Sequence, residues 1–338
     1  MMNSLSYVPN FKFMKKIIIG IDISSKTLDI CLKQGEQVSY STIDNELTSI
    51  KGFFKKYTKD EVVVAMENTG RYNWNLFKVL PGFGFEVYVI SPLHLKKSIG
   101  LVRGKNDKVD AHRICLFIEK NRSEMKQWKP TPLAIRKMKV LLAERSSRVK
   151  MKKQLLNQQR DYKLMKDISL DGELMKLNKK LIQTIDQHIK KIETEIEKTV
   201  ELDEQLKSQS KLIRSVPGVG KVVSWMMLAK TEGFSLIDDP RKMACYCGVV
   251  PFEFQSGTSI RNRPRVSMYA DRSMKSVLHL AAMSAIRLNN DLKTYYVRKI
   301  DQGKNKMSVL NAVRNKIIHR IFAVIKNQTM YKNDLVLS

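Results

Sequence analysis

Acidic residues are scarce in this chain of 338 residues: 33 Asp and Glu stand against 61 Lys and Arg, for a formal net charge of +28. So positive a surface points to a polyanion. Nucleic acid comes first, because neutralising phosphates releases counterions. Cysteine is sparse as well. Cys31, Cys115, Cys245 and Cys247 are too few for a disulfide framework and fit a reduced, cytoplasmic location. Cys245 and Cys247 lack a second Cys or His pair at zinc spacing, so core packing is expected of them. No apolar run approaches the ~18–20 residues of a membrane span, and no signal-peptide pattern opens the chain. His94, His112, His188, His279 and His319 are scattered. Neither a Walker-type loop nor a dinucleotide fingerprint occurs. What is present is 43% hydrophobic residues, enough for packed cores rather than a basic tail. The length suits two or three domains at ~100–200 residues each.

The pattern divides the chain into segments. Residues 1–13 read as an unstructured extension, with Met14 an alternative start. Residues 14–125 alternate strands and helices: buried apolar strands at Lys16–Ser24, Glu61–Met66 and Phe85–Ile90, further strands at Thr27–Leu32 and Gln37–Thr42, and helical spacing at Glu46–Tyr57, Tyr72–Leu80 and Asp107–Lys120. This predicts a mixed α/β sheet domain. Residues 126–212 are long, charged and helical. Met175, Asn178, Ile182, Ile185, Ile189, Ile192 and Ile196 alternate three and four apart, a heptad seam. A helical hairpin within one chain and an intermolecular coiled coil both satisfy it. Residues 213–338 are mainly helical and strongly basic, with 16 Lys or Arg against 4 Asp or Glu from Arg261 onward.

Four carboxylates stand out. Asp22 interrupts an apolar strand, where a charge is costly without a partner. Glu67 ends another such strand. Asp107 and Asp110, three apart at a helix start, project from one face. Gathered beside a sheet, they would hold hard divalent cations such as Mg²⁺ against a phosphate. Each acid also has a plain structural reading, Asp107 and Asp110 as first-turn residues favoured by the helix dipole. Pro217-Gly218-Val219-Gly220-Lys221 precedes an apolar helix and has the form of a helix-hairpin-helix turn, in which glycines and helix amides approach phosphate. Gln255-Ser256-Gly257 is a polar turn by itself. Its place before Arg261, Arg263 and Arg265 adds the positive charge that a serine attacking a phosphodiester requires.

The blocks Gly20-Ile-Asp22-Ile-Ser, Glu67-Asn-Thr-Gly-Arg-Tyr72 and Lys105-Asn-Asp107-Lys-Val-Asp110-Ala resemble those of the DEDD transposases of bacterial insertion sequences, the group related to the Piv DNA invertase. Ser215–Gly220 and Gly248-Val-Val-Pro251 through Gln255-Ser256-Gly257 resemble that family's C-terminal domain. The resemblance runs from about Lys16 to Ile325, in order. It implies a RuvC-like, RNase H-like N-terminal domain, a coiled-coil arm and a mainly α C-terminal transposase domain. It implies Mg²⁺ on the Asp22, Glu67, Asp107 and Asp110 tetrad, and Ser256 as nucleophile joined to a DNA 5′ phosphate. Its implied partners are donor and target DNA, a structured bridge RNA in some members, and further copies of the chain, dimer to tetramer. The tetrad and serine of one active site would then come from different subunits. Such a protein works on the nucleoid of a bacterial cytoplasm. Two departures are visible. Ser267-Met268-Tyr269-Ala270-Asp271 stands where many relatives carry Ser-Lys-x-Gly-Asn, and Asn106 where Thr is common.

The expected function is therefore cutting and rejoining DNA as a transposase, with contacts from Gly218, Gly220, Lys221, Arg261, Arg263 and Arg265. Its rivals are a RuvC-like metal-dependent nuclease in which Ser256 is only a turn, a Piv-like site-specific invertase, and an architectural nucleic-acid-binding protein without chemistry.

Overall fold

The computed structural model describes residues 16–98, 107–165, 171–256 and 260–332; for residues 171, 253–256 and 260–264 it describes backbone only. The segment 1–13 and Asn106 lie outside the described residues. Two compact units are present, Met1–Pro130 and Thr131–Ser338.

The first unit is built on a five-stranded mixed sheet. Its elements are β1 (Ile17–Ile23), β2 (Thr27–Gln34), β3 (Gln37–Asp44), α1 (Leu47–Phe54), β4 (Val62–Glu67), α2 (Trp74–Val79), β5 (Glu86–Ile90), α3 (Pro92–Ser98) and α4 (Asp107–Asn121). The strand order is β3-β2-β1-β4-β5. β1, β2 and β3 run antiparallel in sequence, while β1–β4 and β4–β5 are parallel. Helices cover both faces of the central strands, which is why β1 and β4 read as apolar runs up to Asp22 and Glu67. Ile19, Ile21, Val64 and Met66 share one core with Ile50, Phe54 and Leu76 of α1 and α2. Val63 and Ala65 face the other way, onto Ile114 and Ile118 of α4. Each such side chain, fully buried, contributes roughly 1.5–3 kcal/mol. Ser91-Pro92, expected only to stop β5, also starts α3, with Pro92 at the first helical position where its missing N–H costs nothing.

α4 lies unusually close to β1. A Cβ on Gly20 would stand 2.4 Å from the Ala111 carbonyl oxygen and 2.6 Å from Cys115 Sγ. The helix backbone occupies the volume that any side chain at position 20 would need.

The second unit begins with α5 (Leu133–Leu164) and α6 (Asp171–Glu201) and continues with α7 (Glu204–Arg214), α8 (Lys221–Thr231), α9 (Pro240–Tyr246), β6 (Phe252–Ser256), β7 (Ile260–Arg265), α10 (Arg272–Ala285), α11 (Asp291–Asp301) and α12 (Lys306–Asn327). α5 and α6 pack antiparallel. Lys137–Glu195 at 2.5 Å, Arg145–Glu193 at 2.7 Å and Lys152–Asp186 at 2.6 Å pair ascending with descending positions. Such exposed pairs contribute little each, but they record the register. Along the seam, Ile196 is buried and Ile182, Ile185 and Ile189 are half-buried. At its base the arm shares one core with the C-terminal helices, through Ile135, Met138, Ile196 and Val200.

Short polar residues start the helices that follow. Asp203, Asp239, Asp271, Asn290 and Asn305 each accept backbone N–H bonds at a helix N-terminus. α9 and α11 have no counterpart in the sequence reading, and Gln255 and Ser256, expected in a polar turn, lie in β6, which pairs antiparallel with β7.

The approach at Gly20 is testable by folding. Gly20→Ala forces its methyl into backbone atoms and should destabilise by about 1–3 kcal/mol, as overpacking does. Gly52→Ala, inside α1 with nothing within 4 Å of the added carbon, should be neutral or stabilising. Urea midpoints of the two variants check this; equal midpoints would mean that α4 yields freely.

Candidate active site

The sheet register determines where the first two carboxylates point. Side chains alternate along a strand, so Gly20 and Asp22 share a face, the face on which α4 lies. In the parallel pair β1–β4, Gly20 stands beside Ala65 and Ile21 beside Met66. The next positions, Asp22 and Glu67, therefore stand side by side on that same face. α4 crosses Gly20 at Ala111 and Cys115. Its first turn, with Asp107 and Asp110, consequently reaches the end of β1 that carries Asp22.

Electrostatics agree. The Asp22 carboxyl is raised from 3.8 to about 6, first by burial, then by the charges of Asp110 and Asp107, and more weakly by that of Glu67; a hydrogen bond from the Ile23 backbone opposes the shift. The other three expected acids thus act on Asp22. Asp110 is held by Arg113 one turn on, at 2.5 Å. A fifth carboxylate was not singled out from sequence: Asp29 pairs directly with Asp22 across β1–β2 and accepts a hydrogen bond from Thr42 Oγ1 at 2.7 Å. Alternation along β2 was the only signal for it. His112 meets the ring of Tyr40 edge-on.

Among the described residues, no three His, Cys, Asp or Glu side chains already stand in ligating geometry. The donor set nonetheless fits a hard cation. It consists of carboxylate oxygens gathered where burial first, and then mutual repulsion, raise the Asp22 carboxyl, and a divalent ion would relieve both.

The second unit holds the other expected residues. Ser256 ends β6, paired in register with Ile260, and Gln255 pairs with Arg261. Arg261, Arg263 and Arg265 take alternate positions of β7; Arg265 is exposed opposite Phe252. The side chains of Ser256, Arg261 and Arg263, and all of Gly257, lie outside the described residues.

The turn before α8 has internal duties. Gly218 adopts φ +80°, and a Cβ there would stand 2.3 Å from the Ala281 carbonyl oxygen of α10, so this glycine is required by packing. Lys221 pairs with Glu197 at 3.0 Å, the same carboxylate that accepts from Trp225 Nε1. Gly220 begins α8, with open space where its side chain would be. Asp271, at the departure from the family pattern, caps α10 and pairs with Lys230 at 2.7 Å. Burial alone would raise its carboxyl, but Lys230, the Ser273 hydroxyl and the Met274 N–H hold it well below the usual range.

Two family profiles match the chain. Residues 19–166 match a DEDD-type profile described as transposase, and residues 210–297 one described as transposase IS116/IS110/IS902 family. A pilin gene-inverting protein of Moraxella bovis is 23% identical over 325 residues, covering 93% of this chain and 97% of that protein. A putative transposase of Sinorhizobium fredii is 25% identical over 257 residues, 70% of this chain and 64% of that protein. An uncharacterised 43.6 kDa protein of insertion element IS110 from Streptomyces coelicolor is 26% identical over 126 residues, 37% of this chain and 31% of that protein. No helix among the described residues is long and apolar enough to cross a membrane.

The crowded acids carry a stability cost with a defined sign. Asp22 binds its proton more tightly folded than unfolded, so its ionised form opposes folding above about pH 6, and that opposition fades as pH falls toward 3.8. In EDTA at neutral pH, Asp22→Asn should therefore stabilise the protein by on the order of 1–2 kcal/mol, after discounting for partial exposure. The gain should shrink toward zero near about pH 4. Urea unfolding at the two pH values measures it. A variant less stable than wild type at neutral pH would refute the crowding.

Proposed function

This chain belongs to the transposase family of the insertion elements IS116, IS110 and IS902, the group related to the Piv invertase, and on that premise we propose how it cuts and rejoins DNA. The reading is a recombinase with a RuvC-like first unit. Asp22, Glu67, Asp107 and Asp110 hold Mg²⁺, and Ser256 is the nucleophile. The observation that carries it is the approach of three carboxylates, Glu67 from β4 and Asp107 and Asp110 from α4, to the half-buried Asp22 of β1. A strand order of β3-β2-β1-β4-β5, with the first three antiparallel, supports the RuvC-like assignment.

A divalent ion held by Asp22, Glu67, Asp107 and Asp110 would supply Lewis-acid stabilisation of the charge that builds on the reacting phosphate. The chain's residues do the rest. Ser256 Oγ gives up its proton and bonds to phosphorus; the bond to the 3′ oxygen breaks, and that oxygen takes a proton. The strand is left joined to the protein through its 5′ phosphate. The phosphodiester energy is conserved in the new linkage, so rejoining needs no nucleotide. Arg261, Arg263 and Arg265 bind the backbone near the serine. Gly218 and Lys221 already serve packing and the Glu197 pair, so Gly220, at the start of α8, is the member of that turn best suited to a phosphate. A guide RNA, an oligomer and action on the bacterial nucleoid belong to the same reading.

Site-specific inversion is the second reading. It is favoured by the match of the pilin gene-inverting protein along 93% of this chain. The chemistry is shared, and the products differ: an inverted segment retains its flanks, whereas transposition moves the element.

The test is a nicked suicide DNA substrate, followed by a denaturing gel and peptide mapping. The wild type should leave a covalent protein–DNA adduct on Ser256, and Ser256→Ala none, with DNA binding retained. Asp22→Ala should likewise lose at least 10²-fold in cleavage while binding persists, since binding rests on Lys and Arg. Cleavage without any adduct would instead support the water-attacking nuclease.

A further inference from the structure

The second unit contains a groove of about 1100 Å³ between α10, α12 and the strand root Val249–Pro251. Its lining carries Arg272, Lys275, His279 and Arg314 and, among the described residues, no Asp or Glu. Arg314 is the unusual member. Only 6% of it is exposed, yet among the described residues its side-chain partners are neutral: Asn311 Oδ1 at 3.2 Å and His279 Nδ1 at 2.6 Å. Its Nε is buried without any hydrogen-bond partner. A buried guanidinium that lacks a counter-charge is expensive. A structure that keeps one on the floor of an open groove, with Arg272 exposed and Lys275 half-buried above it, is arranged for an anion that arrives from outside. The titrations agree. Lys275 and His279 are each pushed down, first by burial and then by the charge of Arg314.

The groove is also joined to the serine strand. Asn311 Nδ2 donates to the Val249 carbonyl at 2.5 Å, so the side chain that braces Arg314 also fixes the segment leading into β6. From Pro251 to Ser256 an extended strand covers roughly 16 Å at ~3.3 Å per residue. Along one nucleic-acid strand that corresponds to about five nucleotides at ~3.4 Å each. The anion held here is therefore not the reacting phosphate but one flanking it.

We propose that this groove is a phosphodiester subsite, with Arg272 and Lys275 at its mouth and Arg314 on its floor, gripping a nucleic-acid backbone phosphate several nucleotides from the one Ser256 attacks. The proposal rests on the recombinase reading above. A DNA strand and a guide RNA present the same phosphate chemistry, and the experiment separates them.

The full-length protein is titrated with a duplex DNA and, separately, with a structured RNA of equal length, over a range of KCl in EDTA so that no cleavage occurs. Losing one phosphate contact should lower the log–log salt slope by about 0.9. The Arg272→Gln/Lys275→Gln double variant should show that drop with whichever nucleic acid occupies the groove and leave the slope for the other unchanged. Arg314→Gln should do the same where it folds, and Arg314→Lys should restore the slope. Lys55→Gln/Lys59→Gln, an equal loss of charge in the first unit, should leave both slopes alone. Unchanged slopes in the double variant, or an equal drop in the Lys55/Lys59 control, would overturn the groove assignment while Ser256 adduct formation still stands. A wild type that binds neither nucleic acid would overturn the recombinase reading with it.

Discussion

The first unit depends on one close approach, that of the α4 backbone to β1 at Gly20. With a Cβ site 2.4 Å from the Ala111 carbonyl oxygen, only glycine permits the helix to lie at this height. The height decides more than packing. α4 is the element that carries Asp107 and Asp110, and Asp22 is two residues beyond Gly20 on the same strand face. A bulkier residue at position 20 would lift the helix and with it two of the four carboxylates. The absence of one side chain and the presence of the acidic cluster are therefore one structural fact.

The cluster is costly, and the surrounding fold is arranged to bear it. β1 and β4 are anchored on the opposite face by Ile19, Ile21, Val64 and Met66, all fully buried, so the strand ends cannot splay to separate Asp22 from Glu67. α4 is held along its length by Ile114 and Ile118. Arg113 offsets part of the negative charge through Asp110. Burial first, and then the remaining repulsion, raise the Asp22 carboxyl. Strain concentrated at a few residues within a rigid frame is how functional sites are commonly held.

Much of this was legible in the sequence, but unevenly. Asp22 was visible because a charge breaks an apolar strand, and Asp107 with Asp110 because their spacing matches one helix face. Their meeting was not visible. It follows from the parallel register of Ile21 with Met66 and from the contact of Gly20 with Ala111, both long-range. The heptad seam from Met175 to Ile196 was plain, but its partner was not, since the same spacing serves a helix of this chain or of another. The antiparallel ion pairs with α5 show a helix of the same chain against it. Gly218 was noticed for phosphate binding, whereas its neighbours Ala281 and Ala285 supply a packing reason that no local motif encodes. Arg314 drew no attention at all. In sequence it is one basic residue among many in α12, and its burial exists only once α10 closes over it.

A chain of net charge +28 that brings four of its 33 acidic residues together sets two opposing demands on a polyanion. The basic surface draws phosphates in at long range, through a field that salt screens over ~10 Å. The acidic cluster repels them at short range, where screening is weak. Phosphate can therefore rest against Asp22 and its neighbours only when a cation stands between them. Binding and chemistry are thereby separated physically. Nucleic acid is, on the proposed reading, held by the lysines and arginines without the acids taking part, and a divalent ion would convert the repelling face into one that accepts a phosphate. On the proposed reading, this separation lets a protein of such general affinity for nucleic acid remain bound without cutting.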